Sequence, residues 1–236
     1  MWAIYKREMQ NYFKSPQAYV FMAAFILLSG FIFSVYNLLT LSSDMSYTFS
    51  SMSLVYILII PILTMRLMSE DRKNKTDQLL LTAPVTLWDV VLGKFLAAVT
   101  VLMLTLAVSF VFVIMISIFG IPSYGEIFAA YFGFFLLGMA LVALGLFLSS
   151  LTDSMVTAAV STFGIVFLLY LLDSVVRYID AEWLSVLIGW LSAYTRFQDF
   201  GMGLLSLSGI VYYFSFAGIF LFLTVQTLQK RRWSED

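Results

Sequence analysis

The chain has 236 residues, 13 Lys and Arg against 14 Asp and Glu for a net charge of −1, and it is 61% hydrophobic with only 11% charged residues. A soluble domain carries about 25% charged residues, so a fold of this size has too little interior for so much apolar surface, and its solvent must be largely lipid. Near-neutral charge gives nucleic acid no footing, and the absence of Cys and His excludes disulfides, thiolate chemistry and the commonest metal ligand.

In chain order, the first element is amphipathic. The stretch WAIYKREMQNYFKS has apolar side chains at Trp2, Ile4, Tyr5, Met9, Tyr12 and Phe13, with charges at Lys6, Arg7, Glu8 and Lys14. It predicts a short helix within residues 1–17, lying at a membrane surface and ending near Ser15 and Pro16; the alternative is a solvated tail. Six apolar stretches then reach the length of about 20 residues that a crossing helix needs: 18–41, 47–68, 90–119, 127–148, 155–172 and 207–228. The first is longer than the apolar part of a secretory signal and lacks a small-residue cleavage site after it, so it reads as a span. Pro61 removes one backbone donor from the second and predicts a kink. The third is longer than a bilayer is thick, and should tilt or project into water. In the fourth, Gly138 and Gly145 share one face with Ala140 and Ala143 nearby, a pattern that allows close helix contact. Between spans five and six, segment 173–206 carries a patch, 183–193, too short to cross. It reads either as part of a re-entrant pair or as an interfacial helix in a wet loop.

Basic residues orient the spans. Lys6, Arg7 and Lys14 precede the first, Arg66, Arg72, Lys73, Lys75 and Lys94 lie between the second and third, and Lys230, Arg231 and Arg232 follow the sixth. Only Arg177 and Arg196 fall on the other side. Basic residues collect on the cytoplasmic side, so both termini and the 66–94 loop are expected there.

That loop reads SEDRKNKTDQLLLTAPVTLWDVVLGK from residue 69. Ser69, Glu70 and Asp71 form a helix start with acids at the positive end of the dipole. Asp71, Arg72, Lys75 and Gln78 are expected to face water, and Leu79, Leu80 and Leu81 to form an apolar tip. Pro84 ends the element. A second piece carries Trp88 to the interface, where an amphipathic ring is favoured. Three exposed leucines call for a docking protein, or else dip into lipid beside a plain cationic anchor. No charge lies well inside a span, which argues against a proton or ion path. Arg66, at the inner end of the second span, either snorkels, pairs with Glu70, or pairs with Asp153 across helices, where it could act as an inner gate.

Several stretches together carry a resemblance: YKREMQNYFKSPQAYV, IPILTMRLMSEDRKNKTDQLLLTAPVTLWDVVLGKFLA, LFLSSLTDS, RFQDFGMGLLSLSGIVYYFSF and FLTVQTLQKRRW. With these the chain resembles the ABC-2 permeases of ATP-binding-cassette transporters, in particular the short branch similar to gliding-motility permeases. The resemblance implies an all-α integral membrane domain over 1–236, with six spans, an N-terminal elbow helix over 1–17 and a cytoplasmic coupling-helix region over 69–88. It implies that residues 69–84 insert into a cleft of a separate ATPase, with Leu79, Leu80 and Leu81 as anchors and Glu70, Asp71, Arg72, Lys73, Thr76 and Pro84 around them. Two ATPase copies and a second permease, identical or paralogous, are the expected partners, beside membrane lipid and no nucleic acid. The chain has no G-x-x-x-x-G-K-[ST] stretch, so ATP and Mg²⁺ are expected on the ATPase and no cofactor or metal here. The function implied is that of a non-enzymatic export permease in a bacterial cytoplasmic membrane. The alternatives are a mechanical or signalling ABC complex, or a transporter that runs without ATP.

Overall fold

The computed structural model describes residues 1–76, 85–176 and 192–232. Every regular element among them is helical, as apolar surroundings require, because only a helix or a closed barrel satisfies all backbone polar groups within lipid. Ten α-helices follow in order: α1 (Trp2–Lys14), α2 (Gln17–Phe33), α3 (Ser46–Thr64), α4 (Ser69–Lys73), α5 (Leu87–Ser109), α6 (Val111–Phe119), α7 (Tyr124–Leu151), α8 (Met155–Val176), α9 (Ala193–Gly201) and α10 (Leu207–Arg232). Among the described residues six helical stretches, beginning at Gln17, Ser46, Leu87, Tyr124, Met155 and Leu207, are long and apolar enough to cross a membrane. They match the six expected spans.

Three details go beyond the sequence reading. The first span leaves α geometry at Ser34 and closes with one π turn, Ser34–Leu38. There Asn37, fully buried, donates to the Ser42 and Asp44 carbonyls and accepts from Thr48, which pins the loop into α3. In the second span helix α3 itself stops at Thr64, with Pro61 inside its last turn, and the chain turns through 65–68 into α4. The third is broken at Phe110 into α5 and α6. The Ser109 carbonyl accepts the Tyr131 hydroxyl at 2.9 Å, while the Val113 amide turns to the Phe110 carbonyl. A side chain has taken the acceptor that would continue the helix, and such an insertion is an ordinary cause of a kink.

Helix α7 is the axis of the bundle and packs against α3, α5, α8, α9 and α10. Its glycines make that possible. A Cβ at Gly138 would stand 2.8 Å from the Tyr56 hydroxyl, one at Gly145 2.4 Å from Thr64 Oγ1, and one at Gly133 2.3 Å from Phe200 Cβ. The seam expected from Gly138 and Gly145 is therefore the α7–α3 contact, and Gly133 extends it to α9. Helix α9 is short and amphipathic, with Ser192 as its N-cap and Ala193, Tyr194, Phe197 and Phe200 buried. The patch that precedes it, 183–191, lies outside the described residues. Outward faces of α2 and α8 present Leu27, Phe31, Val156, Val160 and Leu168, the apolar coat that lipid solvates.

Candidate functional site

The charged loop sits at the end of the bundle where α1 begins the chain and α3 and α7 end. Helix α3 stops there, and a helix end leaves its last carbonyls without intrahelical partners. Side chains from α1 and α2 supply them. The Tyr12 hydroxyl donates to the Leu63 carbonyl at 2.9 Å, and the Gln17 amide donates to Ile62 at 2.8 Å and Leu63 at 3.2 Å. The turn through Met65–Met68 is held from α7. Ser149 Oγ accepts from the amides of Met68 and Ser69, each at 3.1 Å, and donates to the Met65 carbonyl at 3.2 Å, which uses the whole capacity of a hydroxyl.

Next to this turn lies a cluster of two cations and two carboxylates, largely buried except for Arg7, whose side chain is 40% exposed. Lys94, 2% exposed, places Nζ 2.6 Å from Asp71 Oδ2 and 3.1 Å from Glu8 Oε1, and donates to the Leu67 carbonyl at 2.6 Å. Arg7 Nη2 lies 2.7 Å from Glu8 Oε1 and 3.3 Å from Asp71 Oδ2. Thr76 donates to Asp71 Oδ1 at 2.8 Å. Burial pushes the Asp71 carboxyl up, but the Lys94 charge and hydrogen bond, the Thr76 bond and the Arg7 charge outweigh it and hold the group below the ordinary carboxylate value. Around this centre Arg66 grips Glu70 with two nitrogens, at 2.5 and 2.9 Å. Arg72 donates to the Ser150 carbonyl at 2.8 Å and pairs with Asp153 at 2.5 Å. At the start of α5, Thr86 caps the Asp89 amide, and Asp89 pairs with the N-terminal ammonium at 3.1 Å.

Several expectations are revised by this geometry. Asp71 and Arg72 do not face water: their side chains are 18% and 11% exposed, turned into the bundle by Lys94 and by the end of α7. Helix α4 begins at Ser69 as expected but ends at Lys73, with Lys75 at φ +56° breaking it. Of the partners open to Arg66, Glu70 is the one used, and Asp153 is taken by Arg72. Lys73, Lys6 and Lys14 are exposed, and Trp88 is 44% exposed in the first turn of α5. Leu79, Leu80, Leu81 and Pro84 lie outside the described residues, as does Arg177.

Glu8, Lys94 and Ser149 escaped the sequence reading. A signal was present for two of them. Ile4, Glu8 and Tyr12 are spaced i, i+4, i+8 and all three are buried, which puts Glu8 on the apolar face of α1. Lys94 stands between Val90 and Ala98 on the buried face of α5. Nothing marks Ser149 out from its neighbour Ser150.

A cluster of this composition holds segments together. Among the described residues no three His, Cys, Asp or Glu side chains are grouped to hold a metal; Lys94 and Asp71 at the cluster's core are each bound to another segment, while Arg7 Nε is buried without a partner. The fold defines a multi-pass helical membrane protein with a braced, charged loop at one end. The sequence model of the ABC-2 family transporter proteins matches residues 2–187, and the chain belongs to that family. It is a permease component of an ABC transporter, a kind of protein that works with an ATPase subunit. No curated protein matches the chain.

Proposed function

We propose that the chain is the permease subunit of an ATP-driven exporter in a bacterial cytoplasmic membrane, of the branch that resembles gliding-motility permeases. In this reading both termini and the 66–94 loop are cytoplasmic, as the eleven basic residues gathered at that end favour. Segment 69–84 is the coupling helix, and a separate ATPase receives it. Two ATPases carry the ATP and Mg²⁺ and serve two permeases, identical or closely related. Helix α1 is the elbow at the membrane surface.

One observation carries the reading. Residues 66–76 are bound at once to α1, α5 and the end of α7, and the Lys94–Asp71 pair at the centre is largely buried, its side chains 2% and 18% exposed. An exposed ion pair contributes at most about 1 kcal/mol and slips easily. A buried pair costs several kcal/mol to break from one side. A push delivered to the tip at 77–84 would therefore pass into the spans rather than dissipate in the loop. Apolar anchors dominate protein contacts and rim charges contribute less, so Leu79, Leu80 and Leu81 hold the ATPase, with Lys73 at the rim. Glu70 and Arg72 keep the platform in shape.

The test is Leu80→Asp in the full chain, purified with an affinity tag from native membranes. The unmodified chain is expected to bring an ATPase with it and to raise its hydrolysis rate. The variant, present at equal amount, is expected to lose both. Retention of the ATPase at the original yield and rate would overturn the docking assignment.

A further inference from the structure

We infer that α1 is a working part of the loop platform, fastened to it by Lys94 as a positioning residue, so that loop and helix move as one body. A helix that only anchors the chain at a surface keeps its charges toward water or headgroups, as Lys6 and Lys14 do. Glu8 does the opposite. It is 7% exposed and turned inward with Ile4 and Tyr12. Taking a carboxylate out of water is costly unless a counter-charge and hydrogen bonds meet it. Lys94 from α5 and Arg7 from α1 both do so, and both also reach Asp71 of α4. The four groups sum to zero charge, and they come from three separate segments. Removing Lys94 leaves two carboxylates sharing one guanidinium.

Helix α1 also lies along the start of α5 in a fixed register. The Met1 ammonium meets Asp89, and Tyr5 shares a 3.2 Å hydrogen bond with Thr100. Between them Gly93 leaves room for Ile4, whose Cγ2 would stand 3.0 Å from any Cβ placed there. Only Ser15 and Pro16 separate α1 from α2. A displacement of residues 66–76 is thus carried by α1 into the first span, beside whatever passes through α3 and α5. That the displacement comes from an ATPase rests on the docking reading above. The fastening itself does not.

Amide hydrogen exchange on the full chain in phospholipid nanodiscs, with no ATPase present, tests the fastening. Lys94→Met is expected to speed exchange in both α1 and residues 66–76 by the order of tenfold to a hundredfold, and to leave the middle of α7 unchanged. Lys94→Met combined with Asp71→Asn restores the charge balance but leaves no ion pair between α1 and α4, and α1 is expected to stay faster than in the unaltered chain. Unchanged exchange in α1 of Lys94→Met, or a double variant returned to the original protection, overturns the inference. Should Lys94→Met fail to accumulate, Glu8→Gln replaces it. That variant is expected to loosen α1, and no change there would be equally decisive. Leu80→Asp leaves this measurement untouched, so loss of docking and loss of fastening are told apart.

Discussion

Ser149 shows how much a single hydroxyl can settle. Two buried amides, of Met68 and Ser69, have it as their acceptor, and a buried donor left without a partner costs about 1–3 kcal/mol. Ser149→Ala is expected to lower stability by that amount, read as a drop in the thermal unfolding midpoint in detergent. Ser150→Ala makes a useful contrast: the Ser150 hydroxyl bonds only back to Phe147 within α7, and the effect should be smaller. Asp71 gives a pH prediction with a definite sign. Its carboxyl is held below its ordinary value of 3.8, so the stability it contributes is fully present above that value and is lost as pH falls through the lower folded one. Unfolding midpoints measured at about pH 7 and about pH 3 should show the gap between the unaltered chain and Asp71→Asn narrowing in acid. A constant gap would mean that the carboxylate charge plays no part.

At the scale of the element, α7 sets the spacing of the bundle because it has almost no side chain where neighbours come closest. Gly145→Ala would drive a Cβ into Thr64, 2.4 Å from Oγ1 and 2.7 Å from Cβ, whereas a Cβ at Gly164 in α8 meets nothing within 4 Å. Overpacking costs about 1–3 kcal/mol, and Gly→Ala in an open helical position gains up to about 1 kcal/mol. The two substitutions are therefore expected to shift the unfolding midpoint in opposite directions. The same comparison explains what was legible. Gly138 and Gly145, seven apart, gave the seam away, because small residues at helical spacing have few other uses. The break at Phe110 was not legible, since its cause is a Tyr131 hydroxyl bonded to the Ser109 carbonyl, 22 residues from it along the chain.

For the whole molecule, the proposed cytoplasmic placement of the loop yields a topology experiment. The chain has no Cys, so single cysteines report cleanly. An impermeant maleimide added to intact cells is expected to label Met202→Cys and to spare Lys73→Cys until the membrane is opened. Both positions are exposed in the fold. Labelling of Lys73→Cys from outside would reverse the proposed orientation and remove the loop from reach of a cytoplasmic ATPase.

The amino-acid sequence by itself determined the number of spans, the end of the bundle that gathers the charge and the identity of the family. Those properties are local, since apolar length, basic flanks and a contiguous motif act within one stretch of chain. Only the tertiary structure decided what the loop charges do. Asp71 and Arg72 read as solvated until Lys94, Arg7 and the end of α7 are brought against them, and Glu8 read as part of a wet face until α1 lies on α5. Whether a charge is solvated or buried depends on its neighbours in space, and these neighbours are up to 86 residues apart along the chain.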